Sequence, residues 1–289
     1  MKGKLVNILL LLIFLAGLSL LLYPTVSNYY NSYLQSKIIL QYSNQVNEME
    51  DEAYEEELAA AREYNARLLE RPSDFALPEE LEEQYWSLLD ATGSGIMGYV
   101  EIPSISVTLP IAHGTEEDTL EDYVGHIKWS SLPIGGESTH SVISGHRGLP
   151  SSELFTNIDH LEIGDTFYIH VLGQTLEYWV DNIAVVLPTE YDLLGIEEGK
   201  DYVTLLTCTP YGINSHRLLV RGIRVNDQVG GGPSGALVLK NEVSNIDIMV
   251  IVPVGLVILS VIVFLGMVLD SGKKKKNKRK ESGEKHDET

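Results

Sequence analysis

The stretch TLLTCTPYGINSHRLLVRG, residues 204–222, decides how the middle of this chain folds. Two apolar, strand-like runs, YVTLLT and RLLVRGIRV, flank a Pro- and Gly-containing turn, the pattern of two paired strands joined by a tight connection. The stretch also holds the single cysteine of the 289 residues, Cys208, at the end of the first run, and Arg217 at the start of the second. If the two runs pair as a hairpin, both side chains share one rim of the sheet. Arg221, four residues further on, is expected on the other face or further away.

Working outward, further short β-rich runs separated by turn residues occupy most of 93–228: MGYVEIP, VTLPIAH, HSVISG, TFYIHVL and TLEYWVDNIAVV. Their spacing and mixed alternation predict a closed or nearly closed barrel, mostly β, rather than a parallel α/β sheet. Short helical inserts are expected at EEDTLEDY and SSELFTNI. About 135 residues suffice for one core. Before the barrel, 24–92 is helical in character. It has no Gly or Pro from Thr25 to Glu70 and is rich in strong helix formers such as EEELAAAREYNARLLE. RPSDFALPEE, residues 71–80, breaks that pattern with two prolines, and EELEEQYWSLLD resumes it. QVGGGPSGALV opens a linker, 229–247.

Two uncharged apolar runs bracket all of this. Residues 5–23 follow Lys2 and Lys4, and residues 248–269 are followed by KKKKNKRK. At ~1.5 Å rise per residue each reaches roughly 30 Å, enough to cross a bilayer. Lys and Arg tend to remain cytoplasmic, which predicts a stub and span over 1–23, a second span at 248–269, and a basic tail, 270–289, inside with the N-terminus. Residues 24–247 are then extracellular. The alternative for the first run is a cleaved signal peptide, but its apolar core is long for one and no clear A-x-A site follows.

Charge fits the partition. Of 21 basic residues, two precede the first span and eight follow the second, leaving 11 outside against 36 of the 41 acidic ones, a balance of −25. Such a surface disfavours nucleic acid and anionic lipid. One cysteine allows no internal disulfide, and the eight histidines show no H-E-x-x-H or similar spacing, so a metal site has little support.

A free thiol of pKa ~8.5 needs a base or a cation beside it to be a ready nucleophile. His146 in VISGHRG, at the end of an apolar run, is the candidate base, and the Arg217 guanidinium could stabilise an oxyanion. Residue chemistry alone leaves alternatives open. A single cysteine is more often a small buried apolar group, a histidine is more often structural, Arg217 could simply balance the acidic surface, and spacing does not bring the three together.

TLLTC resembles the T-L-x-T-C signature of the sortases, membrane-anchored cysteine transpeptidases. SGHRG resembles their histidine motif and HRLLVRG their arginine strand, in the same order and strand context, over about 93–226. The wider stretches GHIKWSSLPIGGESTHSVISGHRG and TCTPYGINSHRLLVRG, with the second span and basic tail, resemble class C, the pilin-polymerising sortases. That resemblance implies a sortase barrel with Cys208 as nucleophile, His146 as acid/base and Arg217 as oxyanion or substrate-positioning group, and no cofactor. The implied substrates are pilin precursors carrying an LPXTG-like sorting signal and an acceptor lysine. A housekeeping-type sortase acting on cell-wall peptidoglycan, a secreted cysteine hydrolase and a thiol-independent assembly scaffold are the rival readings. Class C enzymes typically carry an Asp-Pro-aromatic lid over the thiol. The corresponding segment here, 71–80, places Asp74 and Phe75 side by side with no proline between them, and the expectation is a lid in which Asp74 pairs with Arg217 and Phe75 covers Cys208.

Overall fold

A computed structural model describes residues 2–71 and 75–225, together with Gly255 and Val261. The expected linker, nearly all of the second span, the basic tail and Asp74 lie outside the described residues. Residues 1–26 belong to one compact unit of the chain, and Ser27–Ala236 form another.

The first helix, α1 (Lys2–Asn47), passes through Pro24 without ending. Among the described residues it is the one helix long and apolar enough to cross a membrane, with a mean hydropathy of 2.6 over its most apolar window. Leu20 and Leu21 are each about three-quarters exposed (77% and 74%), a placement that water penalises and a bilayer does not. Helix α2 (Asp51–Leu69) buries Leu58, Ala61, Tyr64, Asn65 and Leu68, spaced by three and four along one stripe. Helix α3 (Glu79–Ser87) begins just after Pro78, buries Leu81 and Tyr85, and carries its acidic residues in the first turn, where they complement the helix dipole.

The eight strands are β1 (Ile96–Ile102), β2 (Val107–His113), β3 (Val124–His126), β4 (Thr139–Ser144), β5 (Thr166–Val171), β6 (Gln174–Val186), β7 (Asp201–Thr209) and β8 (His216–Arg224). They close into a barrel in the order β1-β2-β3-β4-β7-β8-β6-β5, with β5 returning to β1. The pairs β2/β3 and β4/β7 are parallel and the others antiparallel. Helix α4 (Glu117–Asp122) precedes β3, as the acidic run EEDTLEDY predicts. Inside the barrel, Val203 and Leu205 of β7 meet Leu218 and Val220 of β8, together with the stacked rings of Phe167 and Tyr178. A Cβ on Gly222 would come within 2.5 Å of the Phe167 ring, so β8 needs glycine where it crosses that stack. The inner side chains of α2 and α3 join the same core.

Two expectations are corrected. SSELFTNI is not a helical insert. It runs as turns, with a single 3-10 turn at Ile158–His160, because Leu154 takes a positive φ of 38° and the Phe155 amide turns back to donate to the His146 carbonyl at 3.1 Å. Strand β3 was not expected, since three residues are too few to display a period of two.

Candidate active site

The site is assembled by register. Strand β4 runs parallel to β7 with Ser144 opposite Leu206, and the ladder continues past the end of β4 through a 3.0 Å bond from the Gly145 amide to the Leu206 carbonyl. The buried Thr207 hydroxyl donates to the Gly145 carbonyl at 2.8 Å. His146 follows Gly145 directly, just past the end of this ladder. Strand β8 is antiparallel to β7, and there Cys208 is the direct partner of Arg217. Cys208 and Arg217 thus face each other across β7 and β8, and β4, on the other side of β7, ends two residues before His146 at the same end of the barrel. The hairpin reading of residues 204–222 is correct, and the base candidate follows a strand, β4, that pairs with β7 from a distant part of the sequence.

Cys208 is a free, half-buried cysteine. Among the described residues the Arg217 guanidinium donates only from Nη1, to the carbonyls of Asn214 (3.4 Å) and His216 (3.1 Å). These bonds tie the side chain to its own turn, and among the described residues they leave its Nε and Nη2 donors without a hydrogen bond. Four residues away on the same face, Arg221 is about 13 Å further along the strand. It is held by Asp181 at 2.8 and 3.1 Å and Glu197 at 3.3 Å, and lies over the Tyr202 ring. Of the two alternatives for Arg221, distance rather than face separates it from the site.

Other histidines serve the fold. His126 and His140 are buried, and burial pushes them down to about 3 and about 4, so both are neutral near pH 7. His140 donates from Nδ1 to the Gly195 carbonyl and accepts at Nε2 from Thr204 Oγ1. His113 bridges the carbonyls of Gly95 and Leu88, and His170 pairs with Glu101 at 3.0 Å. Two histidines lie near the strand ends that carry the thiol: His146, the residue after Gly145, and His216, the cross-strand partner of Thr209.

Beside the trio an apolar floor covers the same outer face. Leu206 and Leu219, cross-strand partners, stand two residues from Cys208 and Arg217 and pack with Val142, Leu194, Trp129 and Val186. Phe75 reaches this floor. Its ring lies 5.0 Å edge-on from Trp129 and 5.1 Å from Tyr191, with a backbone φ of 53°. Sequence reasoning missed Trp129 and Tyr191 as the receivers of Phe75, because nothing local links three aromatics so far apart in the chain. It also missed Arg147, which pairs with Asp159 and lies 5.7 Å from the Tyr211 ring, connecting the His146 loop to the turn after Cys208. The only available signal was its place in SGHRG.

The site is thus a closed mixed barrel with a thiol at a strand end opposite an arginine and a histidine just past the end of the neighbouring strand. The sortase domain matches residues 100–225. Sortase C1 of Streptococcus agalactiae is 45% identical with a TM-score of 0.64, the match covering 66% of this chain and 99% of that one. Sortase C of Streptococcus pneumoniae is 43% identical at a TM-score of 0.60, covering 68% and 100%. Clostridium perfringens sortase C, solved with the C-terminal cell wall sorting motif, is 44% identical at 0.59, covering 66% and 99%. The chain belongs to the sortase family, and within it to class C.

Proposed function

We propose that this chain is a membrane-anchored pilin polymerase. It would cleave an LPXTG-like sorting signal between Thr and Gly through a thioester on Cys208 and pass the acyl group to a lysine amine of the next pilin. The observation that carries the reading is the cross-strand pairing of Cys208 with Arg217 at the end of the barrel where β4, two residues before His146, also ends. In the first step the Cys208 thiolate adds to the Thr carbonyl carbon and the Arg217 fork receives the oxyanion. His146 protonates the departing Gly amine, leaving the thioester. In the second step a lysine ε-amine attacks the thioester carbonyl, His146 takes its proton, and the isopeptide forms as the Cys208 thiolate is released, restoring the starting state. No cofactor enters this scheme. The pilin as substrate is supported by the Streptococcus pneumoniae relative, whose structure is described in terms of pilin substrate specificity.

Segment 71–80 acts as a lid in this reading, with Phe75 docked on Trp129 and Tyr191 above the apolar floor that leads to the thiol. Asp74 is its proposed partner for Arg217. Helix α1 provides the anchor, with both termini cytoplasmic and the barrel outside. Confinement to the membrane raises the effective concentration towards substrates that are themselves membrane-held.

The test is to incubate the full-length protein in nanodiscs with a sorting-signal peptide, with and without a lysine acceptor. Isopeptide formation that requires both Cys208 and His146 is the expected outcome. Free acid regardless of acceptor would make the protein a hydrolase, and transfer only to a peptidoglycan-type amine would make it a housekeeping sortase.

A further inference from the structure

The loop that follows His146 does not stand alone. Its two ends are closed by the bond from the Phe155 amide to the His146 carbonyl and by one from the Gly148 amide to Thr156 Oγ1 at 3.1 Å, while Arg147 pairs with Asp159. Its tip, residues 151–153, is held by the middle of α1. Asn31 Nδ2 donates to the Ser151 carbonyl at 3.0 Å, and the Glu153 amide donates to Asn28 Oδ1 at 2.9 Å. Gln35 Nε2 donates to the Asp122 carbonyl at 2.7 Å and approaches Ser152 Oγ at 3.5 Å. Gln35 and Ser152 are nearly inaccessible, at 4% and 3% exposure. Asn28, Asn31 and Gln35 are spaced by three and four and so form one face of the helix, whereas Tyr29, Tyr30 and Tyr33 on other faces remain exposed.

Polar side chains on the docking face of a helix usually reflect a demand for particular partners, since apolar residues would bury area there more simply. Here every partner is a backbone group or hydroxyl of the loop returning from His146, or the chain end leading into β3. We propose that the Asn28–Asn31–Gln35 face of α1 is a positioning element for His146, so that the anchor helix sets the geometry of the acid/base as well as tethering the enzyme. The inference rests on His146 being the acid/base. Its mechanism is mechanical. Asn28 and Asn31 grip the loop tip, the tip fixes Phe155, and the Phe155 amide holds the carbonyl of His146 itself. These residues touch no substrate. Loosening them lets His146 drift relative to Cys208, which slows proton transfer without weakening peptide binding on the apolar floor.

The chemistry of the two asparagines makes the test specific. Asn28 must accept, because its partner is an N–H, and Asn31 must donate, because its partner is a carbonyl. Aspartate can therefore replace Asn28 and cannot replace Asn31. In the full-length protein in nanodiscs, kcat and KM for transfer of a sorting-signal peptide to a lysine acceptor are measured for N28A, N28D, N31A, N31D and Q35L, with melting temperatures alongside. The expected result is a fall in kcat of about tenfold for N28A, N31A, N31D and Q35L at unchanged KM, in line with the steep dependence of rate on sub-ångström placement. N28D should recover kcat to within about twofold of the parent. Equal behaviour of N28D and N31D, or lower melting temperatures with parental kcat, would overturn the proposal and leave α1 a purely structural support. Run in parallel, His146→Ala separates the two levels. Activity surviving in it would overturn the catalytic reading and the inference with it, whereas its inactivity beside unaffected α1 variants would remove the inference alone.

Discussion

Replacing Gly145 by Ala puts a methyl group where the structure has no space for one. The added Cβ would lie 2.7 and 2.9 Å from two carbons of the Phe155 ring and 2.9 Å from a Val124 methyl, against ordinary contacts of about 3.4–4 Å. Gly145 cannot step back, because its amide is bonded to Leu206 and its carbonyl to Thr207. Phe155 cannot yield easily either, being fully buried. The ring must retreat by roughly 0.5–1 Å, an overpacking that typically costs 1–3 kcal/mol. For a unit the size of Ser27–Ala236, that corresponds to a fall in Tm of about 2–12 °C. The same retreat drags the Phe155 amide away from the His146 carbonyl, so kcat should fall on the order of 10-fold to 10²-fold with little change in KM. Thermal unfolding and steady-state peptide transfer measure the two effects, and Phe155→Leu in the Gly145→Ala background should recover part of both by making room. A Tm within 1 °C of the parent together with parental kcat would refute the reasoning, because Phe155 would then not be wedged against the glycine or would not be coupled to His146.

Arg217→Lys keeps the charge but loses the planar fork, and transfer activity should fall on the order of 10²-fold; near-parental kcat/KM would leave Arg217 a surface cation. Phe75→Ala removes the ring seated on Trp129 and Tyr191, so a bulky thiol reagent should modify Cys208 several-fold faster, and an unchanged labelling rate would mean that access to the thiol is controlled elsewhere. Acid should destabilise the barrel through His126 and His140. Both are held neutral, at about 3 and about 4 against 6.5 when unfolded. The unfolded chain therefore binds protons that the folded one refuses, and stability present above about pH 6.5 is lost as pH falls toward those lower values, roughly 2 kcal/mol per histidine at pH 5. Urea unfolding at pH 7.5 and pH 5 checks this, and equal or greater stability at pH 5 would contradict it.

What the sequence determined by itself was local in origin. Short β-rich runs, YVTLLT and RLLVRGIRV, marked two strands, the Pro- and Gly-containing turn between them suggested a hairpin, and such a hairpin would set Cys208 and Arg217 on one rim; the register that makes them direct partners came from the structure. Runs of five or more residues announced seven of the eight strands, and the acidic run before β3 announced α4. The class was legible for the same reason, because TLLTC, SGHRG and HRLLVRG are short contiguous motifs. Tertiary structure decided what depends on closure. The parallel register of β4 on β7 sets Ser144 opposite Leu206, which brings the segment leading to His146 to the thiol's end of the barrel, and no local pattern encodes a pairing between segments so far apart in the chain. Only the closed barrel made β3 a strand, since three residues become one when β2 and β4 supply partners on both sides. The expected helix at SSELFTNI gave way to turns because the bond from Phe155 to His146 and the grip of α1 outweigh a weak helical preference. Phe75 found Trp129 and Tyr191, and Asn31 found Ser151, for the same physical reason: such contacts form between surfaces that exist only after the barrel has closed and its helices have docked.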